Sequence, residues 1–189
     1  VISKIVFPET EESMTKGNVK LEVKNENVNL IDAISRAASD GMKISINVIA
    51  MLIGFIGLIA FINYGLGKIY TGLSLDFIFG KIFYPLAWCM GVPVDDVSQV
   101  ATLMGQKLTI NEFVAFDTLT HHLAKPLSEK ALIIVSFAIC GFANFSSVGM
   151  QIGGIGALVP ERRTDLAKLG MKALLCGTLA SYLSACIAG

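Results

Sequence analysis

The sequence predicts an all-α polytopic membrane protein that includes a re-entrant helical hairpin and a broken transmembrane helix. Three observations lead there. Hydrophobic residues make up 53% of the 189 residues and charged residues only 16%, against about 25% charged in a soluble domain. Of the 30 charged residues, 13 fall in the first 43 positions, which leaves the rest of the chain roughly 12% charged. Two runs, Ile44–Gly67 and Ala131–Pro160, carry no charge at all. The mean hydropathy of +0.66 agrees. This composition excludes a disordered chain and an ordinary cytosolic enzyme. A net charge of +0 and a pI near 6.9 leave no basic footprint for a nucleic acid.

The opening residues, VISKIVF, read like the tail of an apolar element, and no signal-peptide pattern is visible. The expectation is a piece of a longer polypeptide, with a small complete membrane protein as the alternative. Residues 8–28 are polar and charged, a solvated loop. In 29–42, Leu30, Ile31, Ile34, Ala37 and Ala38 recur at helical spacing, with Asn29 able to cap and Asp32 in the first turn. A short amphipathic helix on the membrane surface follows from that pattern, as does an ordinary juxtamembrane helix. Residues 1–43 therefore read as cytoplasmic loop plus interfacial helix.

The run 44–67 is 24 residues, about 36 Å as a helix, enough to cross a hydrocarbon core of about 30 Å. Gly54 and Gly57 would allow close helix packing. Residues 73–92 are aromatic but interrupted by Asp76, Lys81 and Pro85, and Phe77, Phe79, Phe83, Tyr84 and Trp88 suit a membrane–water interface. They read as an interfacial helix.

In 94–124, the stripe Val97, Val100, Ala101, Met104 and Leu108 is helical, Thr109–Glu112 is polar, and Phe113, Val114, Phe116 and Leu119 resume the apolar character. Each arm is too short to cross. Two short arms meeting at a polar tip describe a re-entrant hairpin, tolerated only where protein or water covers the backbone. The run 131–160 is longer than a bilayer needs, and its middle holds Gly141, Asn144, Ser146 and Ser147, which suggests a broken helix. Gly149-x-x-x-Gly153 adds a close-packing pattern. A charged turn at 161–165 leads to a last transmembrane helix over 165–189, with Asp165 favouring its start. Placing Arg36, Lys43, Arg162, Arg163, Lys168 and Lys172 on the cytoplasmic side gives a self-consistent topology only if the hairpin returns to the side it entered.

Glu112 is the sharpest polar feature. A carboxylate deep in a membrane costs about 2.5–3.5 kcal/mol by insertion scales, so a substrate, an ion or a basic partner is expected to compensate. The bland reading is a rim position paired with Lys107. Asn144 and Ser147 lie one helical turn apart and offer donors and acceptors suited to sugar hydroxyls, or simply to helix–helix hydrogen bonds. The sequon Asn144-Phe145-Ser146 is dismissed at mid-membrane depth. His121 and His122, being adjacent, make a poor metal pair, and Gly153-Gly154-Ile155-Gly156 lacks a phosphate loop's context. Cys89, Cys140, Cys176 and Cys186 read as small buried hydrophobes, with no disulfide framework or zinc site. No nucleophile–base constellation suggests an enzyme.

These motifs resemble a known family. Ile110-Asn111-Glu112-Phe113-Val114-Ala115-Phe116 is similar to the INEFVAY signature of concentrative nucleoside transporters. The stretch Cys140–Gly170, PLAWCMGVP from Pro85, and GTLASYLSACIAG from Gly177 resemble the same family. The chain looks like the C-terminal half of a bacterial member. That resemblance implies an ion-coupled secondary active transporter importing nucleosides, in the inner (plasma) membrane, as a homotrimer with inverted-repeat architecture. This chain would be the second repeat, partnered by lipid and by the N-terminal half of the same protein. Segment 44–67 would belong to the trimer scaffold and 73–92 would be the interfacial helix. Glu112 would accept hydrogen bonds from ribose hydroxyls, Asn144 and Ser147 would also hold the ribose, and Phe142 would pack near the nucleoside. The family's first hairpin, with its nucleobase contacts, is not in this sequence. Nor are the ligands of the coupling cation, expected to be Na+, so no metal site is expected in this chain. The alternative function is a structural or assembly membrane protein whose buried polar residues only bridge helices.

Overall fold

The computed structural model describes residues 1–8, 10 and 28–189, so most of the polar 8–28 segment lies outside the described residues. Among the described residues eight α-helices follow one another: α1 (Ile2–Val6), α2 (Leu30–Ile69), α3 (Leu75–Cys89), α4 (Val97–Thr109), α5 (Glu112–His121), α6 (Glu129–Ile139), α7 (Phe145–Leu158) and α8 (Arg163–Ala188), with a 3₁₀ turn at Pro160–Arg162 before α8. No strand occurs among the described residues.

The start signals operate as their chemistry dictates. Asn29, Ser74, Asn111, Ser128 and Asn144 each accept a backbone N–H of the first turn of α2, α3, α5, α6 and α7. Five polar side chains in an apolar chain are thus used to close orphan donors that lipid cannot satisfy.

The core forms around α4, which lies against α3, α5 and α6. Val97, Val100, Ala101 and Met104 of the expected stripe are at most 1% exposed, and Leu108 packs on the cluster. Ala131, Ile134, Val135 and Ala138 of α6 and Tyr182 of α8 complete it. The α3–α4 crossing is close because Gly80 and Gly105 meet there. A Cβ on Gly105 would lie 3.1 Å from the Gly80 nitrogen and 3.3 Å from the Asp76 carbonyl oxygen.

Several expectations need correction. The helix over 29–42 is not a separate surface element. It is the first part of α2, which runs without a break through Gly41 and Lys43, because one interior glycine costs only about 1 kcal/mol. The helix expected within 73–92 needs no correction: it is α3, Leu75–Cys89, and it accommodates Pro85. Nothing lies within 4 Å of a Cβ built on Gly54 or Gly57, so this chain does not pack on them. Gly149 of α7 is the close-packing position, seating the ring of Phe55 from α2. The cysteines are not buried: Cys89, Cys140 and Cys186 are exposed and Cys176 is half-buried. Apolar neighbours in sequence mark a lipid-compatible face as readily as a core. The last helix begins at Arg163 rather than Asp165.

Two helices, α2 and the Pro160–Ala188 stretch, are long and apolar enough to cross a membrane by length and composition. The uncharged run 131–160 is divided into α6 and α7 by Cys140–Asn144, where Gly141 adopts φ +142°. That conformation is open to glycine and strained for other residues, and a Cβ at Gly141 would also meet the Ser181 hydroxyl.

Candidate functional site

The tip between α4 and α5 and the break between α6 and α7 meet. Thr109 ends α4, Ile110 and Asn111 turn, and Glu112 opens α5. At the other ends of these helices, Gln99 exchanges two 3.3 Å hydrogen bonds with the backbone of Lys125, so α4 and α5 close as a helical hairpin. Against its tip, Asn144 Nδ2 donates to Glu112 Oε2 at 2.8 Å. Asn144 is fully buried and Glu112 is half-buried.

Asn144 is held by the helix it starts. Its Oδ1 accepts from the Ser147 N–H at 2.7 Å and the Ser146 hydroxyl at 2.7 Å. The Ser147 hydroxyl donates to the Asn144 carbonyl at 2.7 Å and accepts the Asn144 N–H at 3.2 Å, a capping box. The amide oxygen is therefore fixed, and the amide nitrogen is forced to face Glu112. Ser146, which is not among the expected site residues, shares its one hydroxyl proton between Asn144 Oδ1 and the Ile110 carbonyl, the latter at 3.2 Å, a bifurcated contact between the break and the hairpin tip.

Electrostatics favour a carboxylate here. Glu112 occupies the first turn of α5 and lies against the first residue of the α7 cap, so the positive ends of two helix dipoles face it. The rim pairing with Lys107 does not occur, because Lys107 is fully buried and its ammonium makes no hydrogen bond.

A donor and acceptor count defines what the site can take. Glu112 Oε1 and its remaining lone pairs are free to accept. The second N–H of Asn144 makes no hydrogen bond among the described residues and is enclosed with the rest of its fully buried side chain. Ser147 keeps one lone pair. Phe142 is 50% exposed. With Ser147 it lines a groove of about 500 Å³ between α7 and α8, whose wall is mostly apolar (Val148, Ile152, Leu166, Leu169). Glu112 and Asn144 are not among the residues lining that groove. The structure thus brings Glu112, Asn144 and Ser147 into one bonded chain and leaves Phe142 on the adjoining groove.

Discontinuous helices whose N-termini and polar caps converge inside an apolar bundle are the parts of a secondary-transporter binding site. The sequence matches, over residues 1–189, the family described as "Na+ dependent nucleoside transporter C-terminus", and the chain belongs to that family. Among its relatives, the "Uncharacterized transporter YutK" of Bacillus subtilis is 45% identical over 195 residues, covering 100% of this chain and 48% of that protein. The "Nucleoside permease NupC" of Helicobacter pylori is 40% identical over 198 residues, covering 100% of this chain and 47% of that protein. A variant of CNTnw in the intermediate 2 state has a TM-score of 0.81 at 41% identity, covering 96% of this chain and 45% of that one. The chain spans about half the length of the curated relatives it matches. It is a multi-pass integral plasma-membrane protein.

Proposed function

We propose that this chain supplies the ribose-binding half of an ion-coupled nucleoside importer. The observation that carries the reading is the 2.8 Å bond from Asn144 Nδ2 to Glu112 Oε2. It joins a hairpin tip to a helix break, with acceptors on Glu112 and a second, buried N–H on Asn144. A vicinal diol matches that pair: its two hydroxyls donate to Glu112, and one accepts from the Asn144 N–H once the tip and the break part far enough to uncover it. Ser147 offers its spare lone pair, and Phe142 gives an apolar wall at the edge. The α4–α5 hairpin is read as re-entrant and the chain as the second of two inverted repeats in a homotrimer. The N-terminal half supplies the nucleobase contacts and the site for the cotransported cation, a sodium ion in keeping with the family's description. Transport then follows from alternating access of the shared site, with hairpin and broken helix moving together.

The purely structural reading, in which Glu112 and Asn144 only bridge helices, rests on the same bond and predicts no ligand response. The deciding experiment replaces Glu112 with Gln in the full-length protein. Uptake is expected to be lost at normal membrane abundance, and unchanged uptake overturns the assignment. Uridine is expected to raise the melting temperature of the wild type while free uracil does not.

A further inference from the structure

Lys107 is the largest side chain in the structure with essentially no exposed surface. Its ammonium has no hydrogen-bond partner among the described residues. Lysine is almost never fully buried unless paired, and an uncompensated buried charge is strongly unfavourable, so this position requires a compensating group.

The surroundings narrow the choice. Lys107 lies in the last turn of α4, where the helix dipole is negative. Its ammonium stands 5.9 Å from the centre of the Tyr182 ring, whose face attracts a cation. The Tyr182 hydroxyl is buried and, like that of Thr178 one turn earlier on α8, has no hydrogen-bond partner among the described residues. The carboxylate at the same hairpin tip is Glu112, which opens α5 three residues after α4 ends at Thr109, and it is the foremost charge acting on the ammonium. Asp76 approaches the same hairpin tip from α3, where it accepts from the Thr109 hydroxyl, but it is not among the charges acting on the Lys107 ammonium.

We propose that Lys107 is the fixed counter-charge of Glu112, a positioning residue that balances the site's carboxylate from the buried arm of the hairpin. The two do not touch. Attraction across a low-dielectric interior persists beyond contact distance, and the separation leaves every Glu112 lone pair open to Asn144 and to a ligand. A direct salt bridge would occupy the acceptors that the sugar needs. In discontinuous-helix transporters the C-terminal ends of half-helices commonly face a bound cation. In this half, a tethered ammonium stands at such an end. The inference rests on the reading of Glu112 as the sugar-binding carboxylate, but its first test needs no sugar.

That test is a double-mutant cycle in the purified full-length protein, followed by thermal unfolding without nucleoside. Lys107→Met and Glu112→Gln are each expected to lower the melting temperature, because each leaves the other charge alone. The double variant is expected to melt no lower than the less stable single variant, because no lone charge remains. Losses that simply add in the double variant overturn the pairing. If Lys107→Met alone fails to fold, recovery of a cooperative transition in the double variant supports the pairing, and its absence overturns it. The second measurement is uridine affinity. Lys107→Arg is expected to stay within about threefold of wild type and Lys107→Met to lose about tenfold. Wild-type affinity in Lys107→Met overturns the positioning role. Should Glu112→Gln bind uridine normally, the ribose assignment fails, and the melting cycle still decides the pairing by itself.

Discussion

The hydroxyl of Thr109 reaches across 33 residues of sequence to donate to Asp76 Oδ1 at 2.9 Å. Thr109 is the last residue of α4 and fully buried, and Asp76 is in the first turn of α3. The hairpin tip is therefore held from two sides, by α3 through Thr109 and by α7 through Ile110 and Glu112.

Removing the α3 hold tests its weight. Asp76→Ala is expected to destabilise the protein by about 1–2 kcal/mol. The loss stays moderate because the Thr109 hydroxyl still has the Gly105 carbonyl at 2.9 Å. Asp76→Asn keeps an acceptor and should recover most of the loss. Thermal unfolding of the three proteins checks this, and equal melting temperatures would contradict it.

Gly105→Ala should cost about 1–3 kcal/mol. The new methyl would face the Gly80 nitrogen at 3.1 Å, and a helix backbone cannot yield as a flexible side chain can. Loss of membrane abundance together with a lower melting temperature is the expected result. Gly54→Ala, with nothing within 4 Å, serves as the control that leaves this chain's own packing undisturbed.

Asn144 has two roles that substitutions can part. Asn144→Ser should keep most of the cap, worth about 1 kcal/mol, while losing the amide that faces Glu112. A stability loss of about 1.5–3 kcal/mol from the missing bond to Glu112, with abolished uptake, is expected. Asn144→Asp keeps the cap but sets a second carboxylate against Glu112 at hydrogen-bond distance, so both stability and uptake should fall. Uptake assays run beside thermal unfolding separate the two.

At the open end of the hairpin, outside the spanning helices, Asp96 accepts from the Ser128 hydroxyl at 2.7 Å and the Ser128 N–H at 3.2 Å, with Lys125 at 3.5 Å. The Ser128 hydroxyl bond, foremost, holds the Asp96 carboxyl below its ordinary pKa, aided by Lys125. A depressed carboxylate stabilises the fold above its unfolded pKa and loses that contribution as pH falls through the folded value. Acidification below the usual carboxylate range should therefore lower the melting temperature of wild type more than that of Asp96→Asn. Parallel pH profiles would contradict this.

Much of the organisation was legible because apolar runs and polar interruptions have few physical solutions in lipid. The arms on either side of Thr109–Asn111 and the break near Gly141 follow from that constraint, and the cap at Asn29 from its residue type, whereas the capping role of Asn144 emerges only in the structure. The pairing of Glu112 with Asn144 joins residues 32 apart. Spacing could propose each residue but not their meeting, which the motif resemblance supplied. The alternative that pairs Glu112 with Lys107 at a rim rests on lysine usually lying outside. The register of Lys107 gave the contrary signal, since Val97, Val100, Met104 and Lys107 continue one three-and-four stripe. Burial of cysteines could not be read at all, because hydropathy does not distinguish a lipid face from a core.

The unbroken α2 has a geometric consequence. Its 40 residues make a rod of about 60 Å, twice the depth of the hydrocarbon slab. Lodging all of it among acyl chains would demand a lean of about 60° from the normal, well past the roughly 40° that such helices reach. The turns bearing Asp32, Arg36, Asp40 and Lys43 must consequently emerge as a post standing in the aqueous phase.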